Sequence, residues 1–473
     1  MARYGLIGRN LVHSQSKLLH SQLGNYEYDM IEVQDASGLR EVLEDTSYNG
    51  FNVTIPYKKE VIGYLDELSG PAAEAESVNV IKRLKDGRLK GFNTDSFAFA
   101  YMVGDRVKGR KCVVLGTGGA ARSVAHALRE KGAAEITLIS RNPSEAANRL
   151  GDNYNVAGYD NLVSMYDAQV IINATPVGTV PDIEKTPMDY AGCTMRVFDR
   201  LELAVDLIYN PYRTRFLQDA RRLTGCKTMS GLEMLIVQAM GSNGIWEYDS
   251  PGLPKLLTWG VNEEYKGKAP DRRRVKDIKK KILLNQLNFV SVGMPGSGKT
   301  TICRRFAYEL GLEFVDIDEE TEKLMGESIE TVLGEGGRGE RYFREMETRA
   351  VLEASRKTGA VISTGGGSIL NPINRDYLRS NGIVIYIQRP VELLATKNRP
   401  ISQRTSLRGL FAQRDKLYSR MADISVLNAR VFGEQKALTG EGNSYNYELK
   451  KYVYYLNTVI ERKLDEIAGN KWT

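Results

Sequence analysis

Two glycine-rich turns constrain the fold of this 473-residue chain more than any other feature of its sequence. Each turn follows a short apolar run, at residues 111–115 and 289–292, and each opens a helix-like segment. This order is typical of parallel α/β domains, which bind nucleotide phosphates at helix N-termini. The sequence therefore predicts an α/β fold with two separate nucleotide sites.

The length of the chain and the position of its polar segments indicate how it divides. A single hydrophobic core rarely serves more than about 300 residues, so a chain of this length contains several domains. We predict a first domain over residues 1–100, joined by a return of residues 228–260, and a dinucleotide-binding domain over residues 101–227. A basic linker is predicted over residues 261–285, and a second nucleotide-binding domain over residues 286–473.

The net charge of +6 originates in one segment. Residues 266–281 contain nine lysines and arginines against Asp271 and Asp277, which leaves the rest of the chain close to neutral. A basic run of this kind can bind nucleic acid, but a solvated linker or helix face is the more common structure. We therefore expect small-molecule substrates and no nucleic-acid partner.

Other features indicate the class of protein. The N-terminus lacks a signal-peptide pattern, and no apolar run reaches the length of a membrane span. The four cysteines form no Cys-x-x-Cys pair, and the three histidines show no metal-ligand spacing. These observations predict a cytoplasmic protein without a membrane partner, and they leave the oligomeric state open.

The first glycine-rich turn reads Gly-Thr-Gly-Gly-Ala-Ala and satisfies the dinucleotide-binding pattern Gly-x-Gly-x-x-Ala. The next strand-like run ends at Arg141, where a site for NAD carries an acidic residue. A guanidinium suits the 2′-phosphate of NADP(H), although an arginine on a solvated turn is the alternative. The predicted contacts with the pyrophosphate are Gly116, Gly118, Gly119 and Ala120.

Two charged side chains upstream of this turn are not needed for dinucleotide binding. The segment at residues 50–58 is interpreted as a strand that ends in Lys58, and the segment at residues 91–95 presents Asp95. A lysine and an aspartate that face one pocket can pass a proton to a carbonyl oxygen while a hydride arrives from a nicotinamide. These residues are therefore the candidate acid–base pair.

The motifs Asn-Val-Thr-x-Pro-x-Lys and Asn-Thr-Asp in these segments resemble the signature blocks of shikimate dehydrogenases. The resemblance covers roughly the first half of the chain. It implies NADPH-dependent reduction of 3-dehydroshikimate to shikimate, with Lys58 and Asp95 as the catalytic pair. It also implies substrate contacts from Ser14, Ser16, Thr54, Asn79, Tyr209 and Gln238.

Two later blocks extend the same resemblance. The block that begins at Asn173 is similar to the cofactor-side loop of the family, and the block that begins at Gly231 is similar to its closing segment. Both residues are therefore expected to bind the cofactor. Lys17, Val80 and Ser96 depart from the usual pattern of the family, so quinate stays open as an alternative substrate.

The second glycine-rich turn, Gly-Met-Pro-Gly-Ser-Gly-Lys-Thr, is a complete P-loop. In such a loop Lys299 neutralises phosphate charge and the Thr300 hydroxyl binds Mg²⁺. Asp316 and Asp318 are interpreted as the end of the next strand with both carboxylates on one face, because alternate residues of a strand share a face. The other predicted ATP contacts are Gly296, Ser297, Gly298 and Thr301.

Arginines and a triple glycine farther along the chain indicate a carboxylate-bearing acceptor, because guanidinium groups bind carboxylates in bidentate fashion. In order and spacing, residues 286–430 resemble shikimate kinases. The resemblance implies that Asp318 orients or deprotonates the acceptor hydroxyl, that Asp316 supports Mg²⁺, and that Glu347 orients Arg344. The remaining implied site residues are Gly366, Gly367 and Arg414 at the acceptor and Arg399 in a closing lid.

The two resemblances together imply a bifunctional enzyme of the shikimate pathway that uses NADP(H), ATP and Mg²⁺. The expected architecture is an α/β substrate domain and a Rossmann NADP-binding domain, followed by a P-loop kinase domain with a parallel sheet. The alternative is that one half is a degenerate binding or scaffolding module, which leaves a single activity.

Overall fold

The structure of the protein is a computed structural model. It describes residues 1–11, 14–151, 154–247, 270–394, 407–428 and 442–469, with side chains from residue 449 in the last range. The strands in these ranges form three sheets, one for each predicted α/β domain.

The first sheet, in the substrate domain, is mixed. The domain contains β1 (Arg3–Gly8), α1 (Ser16–His20), β2 (Glu27–Glu32), α2 (Gly38–Glu44), β3 (Gly50–Val53), β4 (Glu67–Leu68), α3 (Gly70–Glu74), β5 (Val80–Arg83), β6 (Leu89–Phe92) and α4 (Asp95–Val103). The strand order is β2-β1-β3-β5-β6-β4, and β5 runs antiparallel to both of its neighbours. Strand β1 buries five consecutive residues, as expected for a strand covered on both faces.

The second sheet is parallel throughout and has the doubly wound order β12-β11-β10-β7-β8-β9. Its elements are β7 (Lys111–Leu115), α5 (Gly119–Glu130), β8 (Glu135–Ser140), α6 (Pro143–Leu150), β9 (Asn155–Gly158), β10 (Val170–Asn173), β11 (Leu203–Asp206), α7 (Arg215–Thr224) and β12 (Lys227–Ser230). The strand order reverses between β7 and β10, and ligands of such folds bind at the carboxyl ends of the strands at this point. The first glycine-rich turn lies there, between β7 and α5.

Helix α8 (Leu232–Glu247) carries the chain back from the second sheet to the substrate domain. It packs against α4, and the Trp246 indole N–H donates a hydrogen bond of 2.9 Å to the carbonyl oxygen of Ile81. Trp246 also stacks on Tyr4 with 4.2 Å between ring centroids. The C-terminal end of α8 is therefore part of the core of the first domain.

The third sheet is parallel and has the order β14-β15-β13-β16-β17. Its strands are β13 (Asn288–Val292), β14 (Glu313–Asp316), β15 (Ala360–Ser363), β16 (Gly382–Gln388) and β17 (Ile424–Leu427). The helices that cover it are α10 (Lys299–Leu310), α11 (Ile317–Met325), α12 (Ile329–Leu333), α13 (Gly339–Ser355), α14 (Pro372–Ser380), α15 (Leu407–Met421) and α16 (Gly442–Ala468). The predicted fold class, with a Rossmann domain and a P-loop domain, is confirmed.

Most of the predicted linker that the structure describes is helical. Helix α9 (Arg272–Gln286) begins at the cap residue Asp271, whose carboxylate accepts a hydrogen bond of 3.0 Å from the N–H of Arg273. Its apolar side chains are buried, and it packs against α8 and α16. Lys280, on its polar side, forms ion pairs of 2.7 Å with Glu461 and 3.2 Å with Asp465. Of the two structures expected for the basic run, a solvated linker or a helix face, these residues form the helix, because apolar positions at helical spacing give it a face that packs. Residues 261–269 lie outside the described residues.

One cluster of buried apolar side chains continues from the dehydrogenase-like half into the P-loop half. It contains residues of α4, α5 and α8 on one side and residues of α9, β13, α10 and α16 on the other. Burial of apolar surface stabilises a fold by about 25 cal/mol per Å². The two halves therefore share part of their stabilising core.

In the described part of the chain, no helix combines the length and the apolar character needed to cross a bilayer. The same residues contain no group of three or more His, Cys, Asp or Glu side chains that could hold a metal ion. The four cysteines are free.

Candidate active sites

Lys58 and Asp95 meet in the first domain although 37 positions separate them. The Lys58 ammonium lies 2.6 Å from a carboxylate oxygen of Asp95, and their side chains are 16% and 7% exposed. The amide of Asn79 donates a hydrogen bond of 3.0 Å to the other carboxylate oxygen. The structure thus brings together the two residues that the sequence proposes as an acid–base pair.

Lys58 does not end a strand, contrary to the sequence-based interpretation. Strand β3 ends at Val53, and the N–H of Tyr57 donates a hydrogen bond of 3.0 Å to the carbonyl oxygen of Thr54 in the turn that follows. Pro56 has no N–H with which to continue a sheet. Lys58 therefore lies in a turn, whereas Asp95 is the first residue of helix α4.

A cavity of about 440 Å³ surrounds this pair. The hydroxyl groups of Ser14 and Ser16 lie 3.0 Å apart on its wall. Gly231, which the sequence assigns to the cofactor, lines this cavity instead. The predicted residues that the cavity brings together are Ser14, Ser16, Thr54, Lys58, Asn79, Asp95, Tyr209, Gly231 and Gln238.

Asn52 is a further pocket residue that the sequence did not single out, although it lies in the quoted motif. Its amide nitrogen donates hydrogen bonds to the carbonyl oxygen of Asn79 at 3.1 Å and to the hydroxyl of Ser242 at 2.8 Å. Its amide oxygen accepts a hydrogen bond of 2.8 Å from Tyr28. This buried network ties the pocket wall in β3 to helix α8.

A second cavity of about 720 Å³ opens beside the first, at the carboxyl ends of the second sheet. It contains the glycine-rich turn, in which Gly116 has a φ of +112°, a conformation that favours glycine. A side chain on Gly119 would lie 2.8 Å from the Ser77 hydroxyl, so the start of α5 approaches the first domain closely. Both cavities share a wall that includes Thr54, Lys58 and Ala120.

The far end of the second cavity is cationic. Arg141 lies at 5.4 Å over the ring of Tyr190, and Arg149 donates a hydrogen bond of 3.0 Å to the hydroxyl of Thr117. Both arginines line the cavity, where Glu145 is the acidic member of the lining. The glycine cradle, the start of α5 and the paired guanidinium groups fit a dinucleotide with an additional phosphate. Sequence reasoning missed Arg149, whose only signal is a basic side chain at the end of α6.

Asn173 lies beneath the second cavity and is absent from its lining. Its amide oxygen accepts a hydrogen bond of 3.0 Å from the N–H of Thr175, and its nitrogen donates one of 3.1 Å to Asp206. Burial raises the pKa of Asp206 to about 7, against hydrogen bonds from Thr214, Ile208 and Asn173 that lower it. Asn173 therefore does not line the predicted cofactor site but holds the loop at Thr175, which does.

The P-loop turns sharply between β13 and α10. Gly296 and Gly298 have φ angles of +80° and +88°, so both positions favour glycine. The Lys299 ammonium donates hydrogen bonds of 2.9 Å and 3.0 Å to the carbonyl oxygens of Gly293 and Met294. The hydroxyl of Ser297 is buried and has no partner among the described residues.

Two residues from the ends of neighbouring strands, the buried Asn428 and the half-buried Arg389, support this loop. Asn428, directly after β17, donates a hydrogen bond of 2.7 Å to the carbonyl oxygen of Ser297. Arg389, directly after β16, donates one of 3.4 Å to the carbonyl oxygen of Gly296. Sequence reasoning missed both because neither lies in a motif.

Asp316 and Asp318 do not share a strand face, and this part of the prediction is wrong. Strand β14 ends at Asp316, which caps helix α11 and accepts a hydrogen bond of 3.0 Å from the N–H of Asp318. The other carboxylate oxygen of Asp316 accepts a hydrogen bond of 3.1 Å from Thr300. These two oxygen ligands suit Mg²⁺. Asp318 lies instead in the first helical turn, and a Cβ on Gly365 would approach its carboxylate to 2.5 Å.

The acceptor side of this site is built around the triple glycine. Arg344 forms an ion pair of 2.8 Å with Glu347, which also accepts a hydrogen bond of 2.6 Å from Ser368. The pKa of Arg344 is raised overall. Burial alone would lower it, but the ion pairs and hydrogen bonds with Glu347 and Glu340 have the larger effect. A Cβ on Gly367 would lie 2.8 Å from the Arg344 guanidinium.

Arg414 approaches the same glycines from helix α15. It is 4% exposed and donates a hydrogen bond of 3.1 Å to the carbonyl oxygen of Gly366, while its Nε has no partner among the described residues. A buried guanidinium with an unsatisfied N–H fits an anionic ligand. Arg399 lies outside the described residues, and Thr301 is exposed on α10.

Comparison with known proteins finds similarity in both halves of the chain. The family model "Shikimate dehydrogenase substrate binding domain" matches residues 6–81, and the model "Shikimate kinase" matches residues 295–436. The chain is 37% identical over 272 residues to the shikimate dehydrogenase (NADP(+)) of Halothermothrix orenii, an alignment that covers 53% of this chain and 92% of that protein. The corresponding enzyme of Caldicellulosiruptor bescii is 35% identical over 290 residues, which cover 56% of this chain and 96% of that protein.

A solved structure shows the same similarity. A chorismate mutase/shikimate 5-dehydrogenase fusion protein from Clostridium acetobutylicum is 35% identical, with a TM-score of 0.50. The match covers 59% of this chain and 96% of that one.

Proposed function

Because the chain belongs to the shikimate dehydrogenase family in its first half and carries a shikimate kinase domain in its second, we propose that it catalyses two consecutive reactions. The first is the reduction of 3-dehydroshikimate to shikimate with NADPH. The second is the phosphorylation of shikimate by ATP, at the hydroxyl that the first reaction forms. One polypeptide then serves two adjacent steps of the shikimate pathway.

In the reduction, Lys58 donates the proton. Bound in the second cavity, NADPH would supply the hydride for the carbonyl carbon. Lys58 lines both cavities, and its ammonium is placed to protonate the carbonyl oxygen. Asp95, at 2.6 Å, forms an ion pair with the lysine and holds its direction, with its own carboxylate oriented by Asn79.

The polar residues of the first cavity orient the ring. Ser14 and Ser16 offer adjacent hydroxyl groups suited to a carboxylate, and Thr54, Asn79 and Gln238 suit the substrate hydroxyls. At the cofactor side, Arg141 and Arg149 would hold the 2′-phosphate of NADPH. A charge-assisted contact with phosphate contributes about 1.5–3 kcal/mol, which favours NADPH over NADH.

In the kinase domain, the P-loop amides and Lys299 bind the phosphates of ATP, and Thr300 with Asp316 would hold Mg²⁺. Asp318 takes the proton of the attacking hydroxyl. Arg344, oriented by Glu347, and Arg414 bind the carboxylate of shikimate beside the triple glycine.

The observation that carries the proposal is the 2.6 Å contact between Lys58 and Asp95 on the wall between the substrate and cofactor cavities. It is tested by supplying 3-dehydroshikimate, NADPH, ATP and Mg²⁺ and measuring NADP⁺ and ADP together. We expect both products to form. With 3-dehydroshikimate as the starting compound, ADP should form only when NADPH is present, unless shikimate itself is added. Quinate with NADP⁺ is assayed in parallel, and faster oxidation of quinate than of shikimate would change the substrate assignment.

Two variants form a reciprocal control for separate active sites. Lys58→Ala is expected to stop NADPH oxidation but to phosphorylate added shikimate. Lys299→Ala is expected to stop ADP formation but to oxidise NADPH at a near wild-type rate, because Lys299 lies in the P-loop and donates hydrogen bonds to the carbonyl oxygens of Gly293 and Met294 in the same loop. Loss of both activities in either folded variant would contradict two independent sites and favour a degenerate half. The proposal includes a cytoplasmic location, where free cysteines remain reduced.

A further inference from the structure

The loop at residues 207–214 connects the dehydrogenase substrate cavity to the kinase domain. It follows β11, and its first four residues, Leu207 to Asn210, line the substrate cavity. Within the dehydrogenase half, Asp206 accepts hydrogen bonds of 2.6 Å from the Thr214 hydroxyl and 3.0 Å from the Ile208 N–H. Asp206 therefore anchors both ends of the loop but leaves its middle to other contacts.

The kinase domain holds the middle of this loop through backbone atoms. The Gln286 side chain donates a hydrogen bond of 2.5 Å to the carbonyl oxygen of Tyr209, a residue of the substrate cavity. The amide oxygen of Asn381 accepts one of 3.3 Å from the N–H of Tyr212. The N–H of Arg213 donates one of 2.8 Å to the carbonyl oxygen of Ser380.

The side chain of Arg213 adds a charged contact to the same interface. Its guanidinium donates a hydrogen bond of 3.1 Å to the carbonyl oxygen of Gly382 and lies 3.4 Å from the carboxylate of Asp423. Asp423 in turn accepts a hydrogen bond of 2.9 Å from the N–H of Val384 in β16. The kinase sheet thus supplies a fixed partner for the loop.

The kinase residues in this contact are themselves rigidly placed. Gln286 and Asn381 are 0% and 2% exposed, and the Asn381 amide donates a hydrogen bond of 2.9 Å to the carbonyl oxygen of Gln286. Gln286 is the last residue of α9, two residues before β13, and Asn381 directly precedes β16, whereas the P-loop follows the carboxyl end of β13. The strand separates these two places by roughly 13 Å at about 3.3 Å per residue. The contact is therefore independent of the phosphate site.

We propose that the kinase domain completes the dehydrogenase substrate site, with Gln286 and Asn381 as positioning residues for the loop at residues 207–214. This inference rests on the proposed reduction of 3-dehydroshikimate. Because the loop contributes to the substrate cavity but not to the lining of the cofactor cavity, its displacement changes substrate binding and leaves NADPH binding intact.

The test measures both activities of the full chain in Gln286→Met, which keeps the side-chain length and removes the donor. Loss of one buried hydrogen bond weakens binding by a factor of about ten, the equivalent of about 1.4 kcal/mol. We expect a tenfold higher KM for 3-dehydroshikimate, with unchanged KM for NADPH and unchanged kinase activity on added shikimate. Arg222→Ala is the matched control, because it breaks the interdomain ion pair with Asp376 outside this loop, and it should leave all these constants unchanged.

Arg213→Met is the second variant, because it weakens the same contact without altering the kinase sequence. It should reproduce the selective rise in KM for 3-dehydroshikimate. Hydrogen exchange of residues 207–214, measured without substrate, should be faster in both variants than in the wild type and in Arg222→Ala.

Wild-type exchange and wild-type KM for 3-dehydroshikimate in both variants would overturn the inference. An equal rise in KM for 3-dehydroshikimate and in KM for NADPH would also overturn it, because general destabilisation of the domain affects both binding sites. Reduction by the wild-type chain tests the proposed function separately from these comparisons.

Discussion

Removal of the Lys58 ammonium is the sharpest test of the dehydrogenase mechanism. Lys58→Ala eliminates the proton donor, and a positioned acid contributes about 10²–10⁴-fold to the rate, or about 2.7–5.4 kcal/mol of the barrier. We expect kcat for NADPH oxidation to fall by that factor while KM for NADPH changes little. Steady-state rates with 3-dehydroshikimate measure both constants.

The structure also predicts the effect of the variant on stability. Asp95 is 7% exposed, and without Lys58 it keeps the hydrogen bond from Asn79 as compensation for its buried charge. An incompletely satisfied buried group costs about 1–3 kcal/mol, so Tm should fall by several degrees. Asp95→Asn removes the charge as well, and the double variant Lys58→Ala/Asp95→Asn should be no slower than Lys58→Ala, because residues that act as a unit are not additive.

Two controls accompany these measurements. Lys85→Ala removes an exposed lysine of the same domain and should leave both activities unchanged. Kinase activity on added shikimate reports in every variant whether the chain has folded. A kcat within threefold of the wild-type value in folded Lys58→Ala would refute the assignment of Lys58 as proton donor.

Variants of the cofactor cavity, the kinase acceptor site and Asp206 provide further tests of the structure. Arg141→Ala should raise KM for NADPH about tenfold and leave KM for NADH nearly unchanged. The double variant Arg141→Ala/Arg149→Ala should raise KM for NADPH further. Equal increases in both KM values would refute a 2′-phosphate site. Gly367→Ala should displace the Arg344 guanidinium, which a Cβ would approach to 2.8 Å, and raise KM for shikimate about tenfold without changing NADPH oxidation. The raised pKa of Asp206, about 7, means that its folded form binds a proton more tightly than its unfolded form. Its stabilising effect is therefore complete below about pH 4 and lost as pH rises through 7, so Tm should fall over this range. Asp206→Asn should remove this fall in Tm. Identical slopes of Tm against pH in the variant and the wild type would disprove the prediction.

Local patterns allowed much of the fold to be predicted. Strand β7 has the predicted bounds, β13 begins one residue before the predicted run at residues 289–292, and both glycine-rich turns lie between a strand and a helix as predicted. Such elements depend on contacts within a few residues, since apolar runs and glycines with positive φ act locally. The resemblance to two enzyme families added the candidate residues, most of which the structure gathers in two cavities and around the P-loop.

Boundaries between local patterns were less predictable. The spacing of Asp318 from Asp316 is compatible with a strand, but the Asp316 carboxylate caps helix α11 at that point. The segment that ends in Lys58 is also compatible with a strand, but Lys58 lies in the turn around Pro56 that follows β3. In both cases one side-chain or backbone hydrogen bond decided between two conformations that the sequence pattern allows.

Both predicted nucleotide sites can be read from the sequence alone, because each is built from one contiguous segment. The dependence of the two halves on each other becomes visible only in the three-dimensional packing. The packing of α9 and the hydrogen bond from Gln286 to Tyr209 join residues that are far apart in sequence. Contacts of that kind arise from the mutual burial of complete elements, and no periodicity or motif within a single segment encodes them.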